Sequence, residues 1–230
     1  CREFDRRIAR RQAGEPLQYI EGRAAFRELM LRVDPSVLIP RPETEGLVGE
    51  VLDWARGRGG LRGLDLGTGS GAIAISLALE GPFERIVGVD ISDPALKVAW
   101  SNVIETGVGD RVELRSGSLF EALDPDERFD VIVSNPPYIA DHEADELPIE
   151  VRDWEPSVAL YAGPTGSEVI DRIVDGAATH LKPGGLLALE VADGEAASVT
   201  ARLREGEDYV NARSARDLAG RRRVVMAERR

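Results

Sequence analysis

Leu64-Asp65-Leu66-Gly67-Thr68-Gly69-Ser70-Gly71 joins two apolar segments of different period. Leu61–Leu66 before it reads as a buried strand, and Gly71–Leu79 after it as a helix closed by Gly81-Pro82. Glycine permits positive φ and lets a ligand approach the backbone closely. A helix N-terminus adds unpaired N–H groups and positive potential. The spacing is Gly-x-Gly-x-Gly, not Gly-x-Gly-x-x-Gly, and no Lys-Ser/Thr follows, which excludes a P-loop. Taken alone, such a turn serves equally as a tight strand-to-helix connection without ligand. The deciding companion is Asp90, which ends the next strand, Arg85–Asp90. An acid at that strand tip is placed to accept hydrogen bonds from two ribose hydroxyls.

Outward from this point the pattern strand, turn, helix repeats. Asp93 is expected to cap a helix with Pro94 in its first turn and Gly107 at its end. Val112–Leu114, Asp130–Ser134 and Leu186–Val191 read as strands, with helices near Ser167–Leu181 and Glu195–Arg204. Residues 209–215 and 222–227 read as an antiparallel pair. The fold class is therefore α/β: a seven-stranded, mostly parallel, Rossmann-like sheet with helices on both faces. Upstream, residues 3–13 read as a basic helix broken at Gly14-Glu15-Pro16, and residues 18–34 as a small hairpin. Pro35, Pro40 and Pro42 force an extended path into a helix running from about Glu43 to Arg56. Three segments are expected: residues 1–17, residues 18–42 as hairpin and linker, and residues 43–230 as the sheet domain.

Phe129–Ser134 carries Asn135-Pro136-Pro137-Tyr138 at its C-terminal tip, the edge where open α/β sheets bind ligands. Two prolines remove two N–H donors and stiffen the turn, while their carbonyls remain acceptors. Asn135 adds a side-chain acceptor and Tyr138 a flat aromatic face. Such a group suits a planar –NH₂. Accepting both of its hydrogens fixes its plane and pushes electron density toward nitrogen, which can then attack a methyl sulfonium in line. Asn135, Pro136 and Tyr138 are the catalytic candidates; Asn135, Pro136, Pro137 and Tyr138 are the substrate-binding ones.

Asp-Leu-Gly-Thr-Gly-Ser-Gly resembles the first motif of the seven-stranded S-adenosylmethionine methyltransferases. That resemblance implies that Gly67, Thr68, Gly69, Ser70 and Gly71 cradle the methionine part of the cofactor and that Asp90 holds its ribose. Asn-Pro-Pro-Tyr is shared by nucleic-acid amino methyltransferases, which flip out the target base, and by protein glutamine N5-methyltransferases. Other segments bear on that choice: Gly14-Glu15-Pro16-Leu17-Gln18-Tyr19-Ile20-x-Gly22, Pro40-Arg41-Pro42-Glu43-Thr44-Glu45, Val151-Arg152-Asp153-Trp154-Glu155-Pro156 and Asp217-Leu218-Ala219-Gly220-Arg221-Arg222-Arg223. Together they resemble the peptide-chain release-factor glutamine methyltransferases, the HemK-like family, over essentially the whole chain. The resemblance implies transfer to N5 of the glutamine in the Gly-Gly-Gln motif of class 1 release factors. It makes residues 1–17 the remnant of an N-terminal helical docking domain, and Asn135 a cofactor contact as well. It places Ser118 and Leu119 beside the adenine; relatives often carry Asp where this chain has Ser118. The alternatives are an adenine or cytosine amino methyltransferase and a ribosomal-protein glutamine methyltransferase.

Composition fits that reading. The net charge is −12, with about +3 in residues 1–32 and about +5 in residues 213–230, so the body is near −20. Such a body repels nucleic-acid phosphates, and no direct nucleic-acid substrate is expected. Seven acids fall within residues 141–155, an acidic collar suited to a basic partner, or a merely solvated loop. No apolar run reaches membrane-spanning length, and no signal peptide is visible. One cysteine, Cys1, excludes a disulfide framework and fits a reducing, cytoplasmic location. With only His142 and His180 beside it, no metal is expected. A monomer is expected, with further chain before Cys1. Arg41 and Glu43 stand either on the roof of the site or as helix caps. Trp154 reads as core more than substrate wall. His142 and His180 read as surface or helix-end residues, and Arg221–Arg223 as a solvated strand end or an RNA contact.

Overall fold

A computed structural model describes residues 2–217 and 219–230; Cys1, and Leu218 within the Asp217–Arg223 segment, lie outside the described residues. The chain opens with α1 (Arg2–Gln12), α2 (Leu17–Glu21) and the hairpin β1 (Arg23–Phe26) and β2 (Leu29–Arg32). The proline-rich linker then enters α3 (Pro42–Ala55). The repeating part follows as β3 (Leu61–Leu66), α4 (Ala72–Glu80), β4 (Phe83–Asp90), α5 (Asp93–Thr106), β5 (Val112–Ser116) and β6 (Phe129–Ser134). Short pieces come next: β7 (Ile139–Ala140), α6 (Ile149–Arg152), α7 (Ser157–Leu160) and β8 (Tyr161–Gly163). The chain ends with α8 (Glu168–His180), β9 (Leu181–Glu190), α9 (Ala196–Glu205), β10 (Tyr209–Arg216) and β11 (Arg222–Arg229).

Seven strands form one sheet in the order β10-β11-β9-β6-β3-β4-β5. The five on the β5 side are mutually parallel, and β11 runs antiparallel to both β9 and β10. Alternation along the strands loads both faces. Val131 and Val133 of β6 and Leu186 and Ala188 of β9 pack with α3 and α4 on one side. Phe129 and Ile132, with Leu187 and Leu189, pack with α8 and α9 on the other. This two-sided burial is why the strands read as continuous apolar runs. Because β3, β4 and β6 are parallel neighbours, the tips that carry Gly67, Asp90 and Asn135 emerge on one edge.

Two local expectations change. The 18–34 stretch is not hairpin throughout, because Leu17–Glu21 forms α2, whose Tyr19 donates to the Val37 carbonyl at 2.6 Å. The cap of α5 is Ser92, whose hydroxyl accepts from the Ala95 N–H at 3.2 Å; Asp93 is instead the first-turn acid. Helix α1 buries none of its residues. Among the described residues no helix is long and apolar enough to cross a membrane.

The hairpin is tied to the sheet through one buried amide. Asn102 of α5 accepts the Arg32 N–H at 2.7 Å and donates to the Arg32 carbonyl at 3.0 Å and to the Ser70 carbonyl at 2.8 Å. Replacing it leaves buried backbone groups without partners, at roughly 1–3 kcal/mol each. Asn102→Ala should therefore lower the urea midpoint without changing the denaturant slope. An unchanged midpoint would mean the hairpin is held by its apolar contacts and by the pairs that Arg27 and Arg32 make with Glu45, Glu80 and Glu105.

Candidate active site

Gly67, Gly69 and Gly71 all lie in the left-handed region, with φ of 72°, 54° and 82°, which accounts for the spacing of the three glycines. A side chain at Gly67 would meet no protein atom within 4 Å, so the loop borders open space there. Gly71 is the N-cap of α4 and has no side chain with which to cap. Asp65, at the end of β3, supplies the missing acceptor. Its Oδ2 accepts the Ala74 N–H at 3.2 Å and the Thr68 hydroxyl at 2.7 Å. Asp65 is fully buried, and its Oδ1 has no partner among the described residues. Burial pushes its carboxyl up to about 7, against the two hydrogen bonds that lower it.

Asp90 at the β4 tip accepts the Gly69 N–H at 2.8 Å and the Ser92 N–H at 2.9 Å, one on each oxygen. Partial burial raises its pKa, with the backbone donors opposing. The loop and Asp90 line a cavity of about 260 Å³. Gly67, Thr68, Gly69, Ser70, Asp90, Ser118, Leu119, Asn135 and Pro137 all border it. Gly71 does not border it, and a side chain there would crowd Ile75 and Ala99. Ser118 accepts from Arg172 of α8 at 3.0 Å, a cavity-lining cation that had no signal in the sequence. The linker and hairpin roof the cavity through Phe26, Val37, Leu38 and Pro40.

At the β6 tip, Asn135 Nδ2 donates to Thr44 Oγ1 at 3.0 Å, and Thr44 donates to Glu190 Oε2 at 2.7 Å. Thr44 and Glu190 are buried. Burial also pushes Glu190 up to about 7, eased by Thr44 and Arg223. Pro136 is buried and Tyr138 packs on the apolar cluster that α8 and α9 share with the sheet, and neither borders the cavity. Tyr138 lies near Arg223 and Glu190, and its hydroxyl is raised by burial. Neither Thr44 nor Glu190 was singled out from the sequence. Glu190 did carry a signal, an acid closing a buried apolar strand in the manner of Asp90.

Arg41 borders the cavity and pairs with the buried Glu155 at 2.6 Å, and it makes no side-chain cap to α3. Glu43 is a first-turn acid of α3. Trp154 packs on the apolar cluster under the linker. His142 is exposed, while His180 ends α8 and stacks on Phe120 at 5.2 Å. Of the seven acids in 141–155, Glu155 is engaged by Arg41, Glu150 by Arg11, Asp153 and, at 3.9 Å, Asp145 by Arg152, and Glu143 by the Ala140 N–H. Arg221 and Arg222 are exposed, but Arg223 turns inward toward Asp217. Among the described residues no group of three or more His, Cys, Asp or Glu converges as a metal site.

A glycine loop, a strand-tip acid and a polar tip on β6, set on one edge of this sheet, define the class of Rossmann-like methyltransferases. A methyltransferase domain model matches residues 58–226. Among solved structures, a methyltransferase from Pyrococcus furiosus shares the fold with a TM-score of 0.65 at 20% identity, covering 97% of this chain and 98% of that one. A ribosomal protein L11 methylase from Lactobacillus delbrueckii subsp. bulgaricus has a TM-score of 0.62 at 23% identity over 87% and 85%. The chain belongs to the release factor glutamine methyltransferase family. It is 45% identical to a member from Gloeobacter violaceus, over 92% of this chain and 73% of that protein. It is 41% identical to one from Rhodopirellula baltica, over 98% and 78%, and 41% identical to one from Streptomyces coelicolor, over 99% and 82%.

The buried Asp65 makes stability depend on pH in a defined direction. Its pKa is higher in the folded than in the unfolded chain, so its contribution is full below the ordinary carboxylate range and is lost as pH rises toward about 7. Asp65→Asn keeps an acceptor and removes the titration. Between roughly pH 5 and 8 its urea midpoint should fall less than that of the wild type. Parallel curves would show that Asp65 ionises in the native state as easily as in water.

Proposed function

We propose that this chain transfers a methyl group from S-adenosylmethionine to the side-chain amide nitrogen, N5, of the glutamine in the Gly-Gly-Gln motif of class 1 release factors. The observation that carries the reading is the Asn135 amide. Its nitrogen is engaged by Thr44, which leaves its oxygen as an acceptor at the wall of the cavity that the glycine loop and Asp90 line. The residues present fit the cofactor. Asp90 keeps lone pairs for two ribose hydroxyls, the Gly67 position leaves room against the backbone, and Ser118 and Leu119 border the end assigned to adenine.

Bound there, S-adenosylmethionine supplies a methyl carbon made electrophilic by a positively charged sulfur. The chain's own part is orientation. Asn135 Oδ1 and a carbonyl of the Pro136-Pro137 turn accept the two hydrogens of the glutamine –NH₂. This fixes the amide plane and keeps electron density on nitrogen. The prolines bring no N–H donors of their own to the tip. Tyr138, packed on the apolar cluster behind the turn, is read as the support that holds the turn.

Incubation with methyl-labelled cofactor and a purified release factor, followed by peptide mapping, should place label on that glutamine; label on nucleic acid or on no acceptor would overturn the reading. Asp90→Ala should weaken cofactor binding by roughly ten- to a hundredfold, measured by calorimetry. An unchanged dissociation constant would remove the ribose assignment. Asn135→Ala should keep most cofactor affinity while kcat falls on the order of a hundredfold or more. Turnover near the wild-type rate would exclude Asn135 as the amide acceptor.

A further inference from the structure

The Asn135 amide could in principle sit either way round, oxygen or nitrogen toward the cavity, and only one orientation accepts from a substrate –NH₂. What decides the orientation lies behind it. Glu190, as a carboxylate, has no proton to give and can only accept. Thr44 has one hydroxyl proton, and at 2.7 Å from Oε2 it is given to Glu190. The Thr44 oxygen is then left as an acceptor, 3.0 Å from the Asn135 side chain, and only the –NH₂ end of Asn135 can satisfy it. We infer that Thr44 and Glu190 are positioning residues that set the direction of the Asn135 amide, so that its oxygen faces the substrate. The inference rests on the reading of Asn135 as the acceptor of the glutamine amide.

The relay crosses three elements, from the tip of β9 through the first turn of α3 to the tip of β6. The two groups behind Asn135 sit where water cannot easily substitute: Glu190 is 1% exposed and Thr44 5%. A carboxylate held this deep costs desolvation, which a merely structural role could avoid with an apolar residue. The groups around Glu190 are Thr44 and Glu43 of α3, Arg41 just before it, Arg223 of β11, and Tyr138 after β6. Arg41 and Arg223 favour the ionised form and Glu43 opposes it. With burial holding Glu190 up to about 7, its charge is lost as pH falls below neutrality, and with the charge goes the rule that it can only accept.

The test uses Thr44→Val, Thr44→Ser and Glu190→Gln, with steady-state kinetics on a release factor and cofactor binding by calorimetry. Thr44→Val keeps the shape of the side chain and removes both hydrogen bonds. Its kcat should fall by about tenfold or more while cofactor affinity stays within about threefold, as expected for an orienting contact. Thr44→Ser should restore kcat to within about threefold of wild type, which a packing defect would not allow. Glu190→Gln replaces an obligate acceptor by a group that accepts or donates, so kcat should fall. Combined with Thr44→Val it should cost nothing further, because both act through one chain.

Wild-type kcat should decline as pH drops below about 7, and in Thr44→Val that limb should be absent. Asp65 titrates in the same range, but its contribution is common to both proteins. Additive losses in the double variant, a wild-type kcat in Thr44→Val, or an unchanged acid limb would each overturn the relay. If Asn135→Ala itself turned over normally, the failure would lie with the reading of Asn135. If Asn135→Ala were inactive and Thr44→Val normal, it would lie with the relay alone.

Discussion

A single buried carboxylate shapes the loop on which the site is built. Asp65 lies fully buried near the end of β3, and its Oδ2 receives both the Thr68 hydroxyl and the third N–H of α4. In most helices a side chain at the N-cap does this work. Here the N-cap is Gly71, which must be glycine to reach its left-handed φ, so the cap is supplied from the strand. Strand, loop and helix are therefore joined by one group, and the backbone between them is held in three successive left-handed glycine positions. Asp90 then fastens the loop from the neighbouring strand through the Gly69 N–H. Desolvating Asp65 opposes folding above neutral pH, and its effect is a loop that needs little reordering to meet a ligand.

How much of this is legible in the sequence depends on how local each signal is. The glycine loop, Asp90 and Asn135-Pro136-Pro137-Tyr138 each announce themselves within a few residues, and parallel strand pairing brings them to one edge without further information. The two-faced sheet follows from apolar strands, and the C-terminal antiparallel pair from the break near Gly220. The Asn135–Thr44–Glu190 contacts are not local. Thr44 and Glu190 lie 146 positions apart and Asn135 and Thr44 lie 91 apart, and a threonine in the first turn of a helix reads as nothing more than a capping preference. The same holds for Arg172 with Ser118, 54 positions apart. Arg223 shows the opposite failure. Three consecutive arginines read as one solvated patch, whereas strand alternation and the bend at Gly220 turn only the third inward.

The acidic body resolves into several kinds of acid. Asp65, Glu155 and Glu190 are buried and structural or site-bound. Glu113 and Glu127 are held low by arginines on the sheet surface, Glu113 down to about 2. The stretch 141–155 contributes fewer free charges than its seven acids suggest, because Arg11, Arg41, Arg152 and a backbone amide engage five of them. A count of charges thus overstates the field at the mouth of the site, and exposed pairs of this type add little to stability.

Asn102 has one side chain and serves two loops. The edge of the hairpin and the backbone of the glycine loop are therefore thermodynamically linked. Whatever immobilises Ser70 makes the docked hairpin more favourable, and undocking the hairpin takes a partner away from Ser70. By reciprocity, a ligand seated on the loop is expected to slow hydrogen exchange of β2 amides, although β2 is separated from the loop by a whole helix and strand in the chain.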